Sequence, residues 1–440
     1  MKKKVSVLGL GRTGVSVANL LYSSGYDVFV SEILPLEKIK NSIKLLNPNI
    51  KYETGIHSNK VLDAEFIVKS PGIPKNIPIL IEARKKKIEI LSELEVAFNN
   101  INPKLIIAIT GTNGKTTVTT LIGEIFKNSG ADTIVAGNIG TPLSDFVQKI
   151  TRNTVVVLEV SSYQLENIKK FRPDISCVLN ITPDHLEHHL TMEEYISAKK
   201  NIFINQTKND YCILNFDDEI TRSFANLCKS KVFYFSYKNN LKEGAFYDGE
   251  KFNININNRK EKFAVSLKIP GRHNIENAVV SAIVAYLCNV PIDIIVSTLN
   301  NFNGVEHRLE FVKEINGVRY INDSKSTNVG STSVALEAFQ KNKNIILIMG
   351  GRDKGSPYTP LIPLVKEKVK HLLLIGEAAT RIESELKGST EIFNCGNLFN
   401  AVKYAREIAK TGDIVLLSPG CSSFDQFENF EHRGKEFKKL

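Results

Sequence analysis

Nowhere do the 440 residues hold an uninterrupted apolar run of the roughly 20 residues that a membrane-spanning helix requires. The lysines of the opening MKKKVSVLGLGRTG imitate the start of a secretory leader. Gly9, Gly11 and Gly14 break up the apolar segment such a leader needs, so a cytoplasmic protein is expected. Cysteine is sparse: Cys177, Cys212, Cys228, Cys288, Cys395 and Cys421 are widely spaced and form no CxxC pair. That excludes a disulfide framework and leaves reduced thiols, mostly core filling. Short-period repeats and low-complexity tracts are also missing, which excludes fibrous and disordered classes. What is present, 42% apolar and 24% charged residues, is the balance of a soluble globular protein too long for one hydrophobic core. The net charge of +10 invites a nucleic-acid reading. The lysines are nevertheless spread along the chain, and the densest run, Arg84 to Lys87, follows an apolar helical stretch as its solvated end. Anionic small molecules suit the same charge.

Hydrophobic periodicity predicts α/β architecture throughout. KVSVLG, GRTG, VSVANLLYSSG and YDVFVSE read as strand, turn, helix and strand, and apolar runs at 65–69 and 88–91 continue the pattern to about residue 93. A second set restarts with strands at 104–110, 133–136, 154–160, 175–180 and 211–214, which implies a larger, mostly parallel sheet. Residues 231–268 read as an antiparallel insert of short strands, 274–301 as two helices, and NFNGVEHR as a linker. A third α/β set follows, with strands near 309–314, 318–322, 344–349, 371–375 and 413–418. The expected domains are 1–93, 94–304 and 305–440.

Two glycine loops carry chemistry. GLGRTG follows a strand and opens a helix, so its backbone N–H groups can face an anion, and Glu32 ends the next strand where a dinucleotide fold places a ribose-binding acid. On this motif alone an NAD(P) dehydrogenase competes. LIIAITGTNGKTT is more specific: a strand feeds a turn whose Lys115 and Thr116 start a helix, so amides and lysine can cradle polyphosphate while the Thr116 hydroxyl reaches Mg2+. It departs from the common P-loop in having Ile109 six positions before the lysine. TVVVLEVSS then ends a strand at Glu159, where P-loop proteins hold a metal-binding carboxylate, with Ser161, Ser162 and Gln164 as polar lining. NITPDHLEHHL packs three histidines into five residues but matches neither HExxH nor a cysteine-supported zinc site. His185, on the loop after a strand, suits an oxygen-rich Mg2+ setting. A nucleic-acid-stimulated ATPase remains a third class.

Taken in order, TGTNGKTT, GNIGTP, LEVSSYQLE, LNITPDHLEHH, YISAKK, GRHNIENA, HRLE and NDSKSTNVGST resemble the Mur ligases, the ATP-dependent amide-forming enzymes of peptidoglycan synthesis. The resemblance covers essentially the whole chain. It implies a Rossmann-like N-terminal domain, a P-loop ATPase-like central domain with a mostly parallel sheet, and a Rossmann-like C-terminal domain that closes on the centre. GLGRTG, INDSKSTNVGST, GGRDKG and SPGCSSFDQFENFEHRG resemble the branch that adds D-glutamate to UDP-N-acetylmuramoyl-L-alanine through an acyl phosphate. DNPR-like and YGHHP-like motifs of other branches are missing. Folylpolyglutamate synthetases share the architecture but usually carry a GKGS-like loop.

The resemblance implies roles residue by residue. Lys115, Asn138, His185 and Lys199 would be catalytic. Gly111, Thr112, Asn113, Gly114, Lys115, Thr116 and Thr117 would hold the phosphates of ATP, with Asn274, Asn277, His307 and Arg308 at its adenine or ribose end and Asp323 on its ribose or a phosphate. Two Mg2+ ions would lie on Thr116, Glu159, His185 and Lys199, the last carbamylated by CO2; Lys200 is the alternative. Arg12, Thr13, Glu32, Gly72, Asn138, Ser161, Gln164 and His185 would contact the UDP substrate. Lys325, Thr327, Lys354, Ser423 and Phe430 would hold D-glutamate, since a basic pocket neutralises a dicarboxylate. No nucleic acid and no membrane insertion are implied, and a monomer is expected.

Overall fold

In the computed structural model, residues 2–138, 140–269 and 271–440 are described. Apolar strands whose interior members are buried on both faces build three sheets, each between helices. In the first, Lys4–Leu8 (β1), Asp27–Glu32 (β2), Lys51–Thr54 (β3), Phe66–Lys69 (β4) and Glu89–Leu91 (β5) pair in the order β3-β2-β1-β4-β5, all parallel. Val5, Val7 and Val30 pack on one side with Ala18 and Leu21 of the helix Arg12–Ser23, while Leu8 and Ile67 face Leu80 and Ala83 of Pro78–Lys85.

The second sheet comprises Leu105–Thr110 (β6), Thr133–Gly137 (β7), Val155–Glu159 (β8), Ile175–Val178 (β9), Tyr211–Asn215 (β10), Lys231–Ser236 (β11), Gly244–Tyr247 (β12), Phe252–Ile256 (β13) and Arg259–Phe263 (β14). Their order is β14-β13-β12-β11-β10-β9-β6-β8-β7. β6 is an interior strand, flanked by β8 and β9, so the loop leaving it opens where parallel strands end. The expected antiparallel insert over 231–268 is smaller than its sequence texture indicates. β11 runs parallel to β10 and β12 parallel to β11, and only β12, β13 and β14 alternate in direction.

The helix Glu93–Phe98 serves both neighbouring cores. Leu94 and Ala97 join the apolar cluster under the second sheet, and Val96 that under the first. Its buried acids add polar ties: Glu93 Oε1 accepts from Ser144 N at 2.7 Å, and Glu95 accepts from the backbone N–H groups of Lys169, Lys170 and Phe171 at 2.8–2.9 Å. Three N–H donors on one buried carboxylate satisfy a group that would otherwise be costly to desolvate.

The third sheet contains Glu310–Ile315 (β15), Val318–Asn322 (β16), Ile345–Gly350 (β17), Val369–Ile375 (β18), Glu391–Gly396 (β19) and Ile414–Leu417 (β20), ordered β15-β16-β20-β17-β18-β19 with only β15 antiparallel. By compactness the chain divides into two units, Met1–Val265 with Asn277–Thr298, and Ser266–Glu276 with Leu299–Leu440. The helix Arg272–Leu287 gives its first residues to the second unit and the rest to the first. All six cysteines are free thiols, and among the described residues no helix is long and apolar enough to cross a membrane.

Candidate active site

At the end of β1 the first glycine loop turns into the helix Arg12–Ser23. A Cβ on Gly14 would sit 1.9 Å from Gly9 O, so only glycine lets that helix start so close to the strand. Glu32, buried at the tip of β2, accepts from Leu10 N at 2.6 Å and Leu34 N at 2.9 Å, bracing this loop and its own. Arg12 donates to Gly140 O, and Thr13 is half-buried in the first helical turn. Gly72, Asn138 and Ser161 share a cleft of about 480 Å³ with Lys75, Tyr163 and His188. Arg12, Thr13, Glu32 and Gln164 do not line it. Gln164 instead closes a capping box: its Oε1 accepts from Ser161 N and Oγ at 3.0 and 2.9 Å, starting the short helix Ser162–Leu165.

The second glycine loop joins β6 to the helix Lys115–Asn128. Its last residue, Gly114, has φ +87°, and an added Cβ would meet Asn277 Oδ1 at 2.6 Å. Asn277 is thereby placed beside the loop. Lys115 Nζ donates to Gly111 O at 2.9 Å and Thr112 O at 2.8 Å, within the turn it would leave for a phosphate. Thr116 opens the helix with its hydroxyl donating to Glu159 Oε2 at 2.7 Å, and Asn138 Nδ2 donates to Oε1 of the same carboxylate at 2.9 Å. A hydroxyl and a buried carboxylate beside this glycine loop make a hard oxygen pair, the donor chemistry that suits Mg2+. Thr117, next along, is buried.

Lys199 comes to the same loop from the helix Met192–Lys200. Its side chain is 1% exposed and Nζ donates to Gly111 O at 2.8 Å, the oxygen that also receives Lys115. Burial, reinforced by the Lys115 charge, holds its pKa well below the usual lysine range, against the opposing pull of Asp184 and Glu159. Lys200 points elsewhere, over the Phe224 ring at 5.3 Å. His185 sits in the left-handed region (φ +55°), its Nδ1 3.0 Å from Tyr163 Oη and its Nε2 3.6 Å from Asp184 Oδ2. His188 and His189 turn the other way, onto Glu166. Burial keeps His189 neutral near pH 7, with its pKa pushed down to about 4.

In the second unit, loops after three adjacent strands carry the remaining predicted residues. Lys325 and Thr327 follow β16, Ser423 follows β20 and Lys354 follows β17; Arg352 and Ser422 bridge the last two loops, and Gly420 N donates to Ser326 O at 3.0 Å to join the first. Lys325 Nζ lies 5.4 Å from the centre of the Phe430 ring. Asp323 is buried, accepting from Ser418 Oγ at 2.8 Å and Leu309 N at 3.2 Å; burial raises its pKa to about 6 against the neighbouring Arg308 charge. His307 is held by Asn322 Nδ2 at 2.9 Å from its Nδ1. Asn274 is buried in the first turn of its helix.

Comparison with known proteins adds a separate line. The chain matches the Mur ligase MurD-like N-terminal domain over residues 3–92, the Mur ligase middle domain over 109–285 and the Mur ligase glutamate ligase domain over 307–421. A protein of Clostridioides difficile named UDP-N-acetylmuramoylalanine–D-glutamate ligase is 44% identical over 99% of this chain and 97% of its own length. One of that name in Elusimicrobium minutum is 42% identical over 100% and 97%. The chain belongs to the Mur ligase family. Among solved structures, UDP-N-acetylmuramate-alanine ligase MurC from Thermotoga maritima superposes with a TM-score of 0.63 at 19% identity, covering 99% of this chain and 98% of that one. MurF from Acinetobacter baumannii gives 0.62 at 16%, covering 99% and 93%. These last two likenesses concern the fold: three Mur ligase domains of α/β type with mostly parallel sheets.

Three residues that brace these loops, two in the first unit and one in the second, carry little sequence signal. Asn180 clamps the phosphate loop, accepting from Asn113 N at 2.8 Å and donating to Asn113 O at 3.1 Å. Tyr195 Oη is 3.0 Å from Thr112 Oγ1, and its ring lies 4.7 Å from Lys199 Nζ. Arg433, 1% exposed, donates to Ser324 O and Oγ and to Cys421 O, tying the loop after β16 to that after β20. A strand-end asparagine and a tyrosine four residues before Lys199 are the only hints. Gly114→Ala tests the loop geometry. Strain at a positive φ of about 1–2 kcal/mol, added to the contact with Asn277, should lower stability in urea unfolding and weaken ATP-analogue binding together. Unchanged binding would show that the turn tolerates another conformation.

Proposed function

We propose that this Mur ligase joins D-glutamate to UDP-N-acetylmuramoyl-L-alanine at the expense of ATP. The observation that carries the reading is the convergence on one glycine loop of Lys115, the Thr116–Glu159–Asn138 chain and the buried Lys199. The γ-phosphoryl passes from ATP to the substrate carboxylate, giving ADP and an acyl phosphate. The D-glutamate amine attacks the acyl carbon, loses a proton and expels phosphate, so a C–N bond replaces a C–O bond. Lys115 and the loop amides hold the transferred group in line, and Asn277 borders the same loop. Thr116 and Glu159 would hold one Mg2+, and His185 with a carbamate on Lys199 a second; bound Mg2+ offsets charge gathered on phosphate and carboxylate. Only neutral lysine adds CO2, and the burial that lowers the Lys199 pKa favours that form.

Gly72, Asn138 and Ser161 border the cleft for the UDP substrate, and the glycine loop braced by Glu32, with Arg12 and Thr13, is assigned to its nucleotide. Lys325, Thr327, Lys354, Ser423 and Phe430 take D-glutamate. Asn274, Arg308 and Asp323 are assigned to the nucleoside of ATP. The domains implied are 1–93, 94–304 and 305–440. The reading takes the protein as a monomer acting in the cytoplasm.

The test is phosphate release from ATP and Mg2+ across a panel of acceptors. Release requiring both UDP-N-acetylmuramoyl-L-alanine and D-glutamate is expected. Preference for another amino acid would move the acceptor assignment, and release driven by nucleic acid alone, or a nicotinamide absorbance change without ADP, would overturn the reading.

A further inference from the structure

Two of the three histidines in HLEHH carry no step of the proposed ligation, although His188 lines the cleft beside Gly72 and Asn138, and the fold gives them a common partner that their spacing does not reveal. Glu166, one residue past the short helix Ser162–Leu165, turns its carboxylate toward the helix Leu186–His189. Its Oε1 lies 2.9 Å from His188 Nε2 and 3.3 Å from His189 Nδ1. The three ligand atoms all fall within 4.8 Å of one another. We propose that Glu166, His188 and His189 form a binding site for a borderline divalent transition ion, of the Zn2+, Co2+ or Ni2+ class, distinct from the Mg2+ positions at the phosphate loop.

Bond lengths of 2.0–2.1 Å and tetrahedral angles place neighbouring ligand atoms about 3.3 Å apart, close to the two distances from Glu166 Oε1. Two imidazoles and one carboxylate leave a fourth position for water or a ligand, as in open zinc sites, and favour such ions over Mg2+. The outer contacts fit as well. His189 Nε2 is 2.9 Å from Ser162 Oγ; donating its proton there leaves the Nδ1 lone pair for the ion and fixes the ring. Glu166 Oε2 is buried without a hydrogen bond, its neighbour being Lys69 Nζ at 3.7 Å. A carboxylate with one unused oxygen can shift toward an ion. The Lys69 charge weakens the site without blocking it, because Lys69 is also held by Ile73 O at 2.9 Å, and burial lowers its pKa. His188 borders the cleft that contains Gly72 and Asn138, which gives an entry path. An ion here would pin the two short helices together along one side of that cleft.

The experiment is cobalt titration of tag-free, full-length protein in saturating Mg2+. One equivalent should bring up the visible d–d absorption of a four- or five-coordinate site, and excess Zn2+ should bleach it. His188→Gln should remove the band while circular dichroism stays unchanged; Glu166→Gln, which keeps the side-chain shape, is the second variant should the first not fold. Absence of the band in the unmodified protein overturns the assignment. So does a band that survives in a folded variant.

Discussion

Lys115→Ala is expected to cut phosphate release and peptide-bond formation by about a hundredfold to a thousandfold, the cost of removing one preorganised electrostatic donor from a reacting centre. The half-buried Lys115 spends its ammonium on Gly111 O and Thr112 O, two carbonyls of its own turn. Those bonds hold the cation where a triphosphate would enter, so binding trades carbonyls for phosphate oxygens without a search through rotamers. Alanine removes the charge. It leaves Gly111 O with the Lys199 bond, and Asn180 still clamps Asn113. The melting temperature should therefore change little while activity collapses. Lys115→Arg should not restore the rate, because a planar guanidinium cannot occupy the site of a compact ammonium. Full activity in Lys115→Ala would remove the phosphate role.

Lys199→Ala should be comparably inactive, with a signature that a packing role cannot produce. If a carbamate supplies a carboxylate-like ligand, millimolar formate or acetate should restore part of the rate to the alanine variant and none to the unmodified enzyme. Substrate affinity should change less than turnover. The cavity left by so buried a side chain will lower stability, so rescue is read at a temperature where the variant remains folded. Removal of dissolved CO2 should slow the unmodified enzyme, and lower pH should do the same. Burial, with the Lys115 charge, lowers the Lys199 pKa and so raises its neutral fraction at a given pH, and that form is lost as pH falls through the folded-state value. An alanine variant that keeps full activity, or one that no small acid improves, would leave the carbamate without support.

How much of this could be read from the chain depends on where each residue gets its meaning. β6, β8 and β17 were legible because both faces are buried, which writes a continuous apolar run. Lys51–Thr54 and Glu391–Gly396 were not: they are edge strands whose half-exposed residues read as loop. The direction of β11 was also hidden, since parallel pairing to β10 is a long-range choice that local turns do not encode. Within the site, Lys115, Thr116 and Glu159 announce themselves through strand, glycine and helix in sequence order. Asn180 and Arg433 act by gripping backbone from other segments, so their identity means nothing until the fold brings those carbonyls and amides to them.

The helix Glu93–Phe98 has a consequence for anyone dividing this protein. Because Val96 belongs to one apolar cluster while Leu94 and Ala97 belong to another, no cut nearby yields two clean pieces. A fragment ending before it leaves a greasy socket open on the N-terminal piece. One ending after it carries a sticky rod with two orphaned acids. Separate expression of the halves would thus favour inclusion bodies, and proteases should find this junction among the last places to nick.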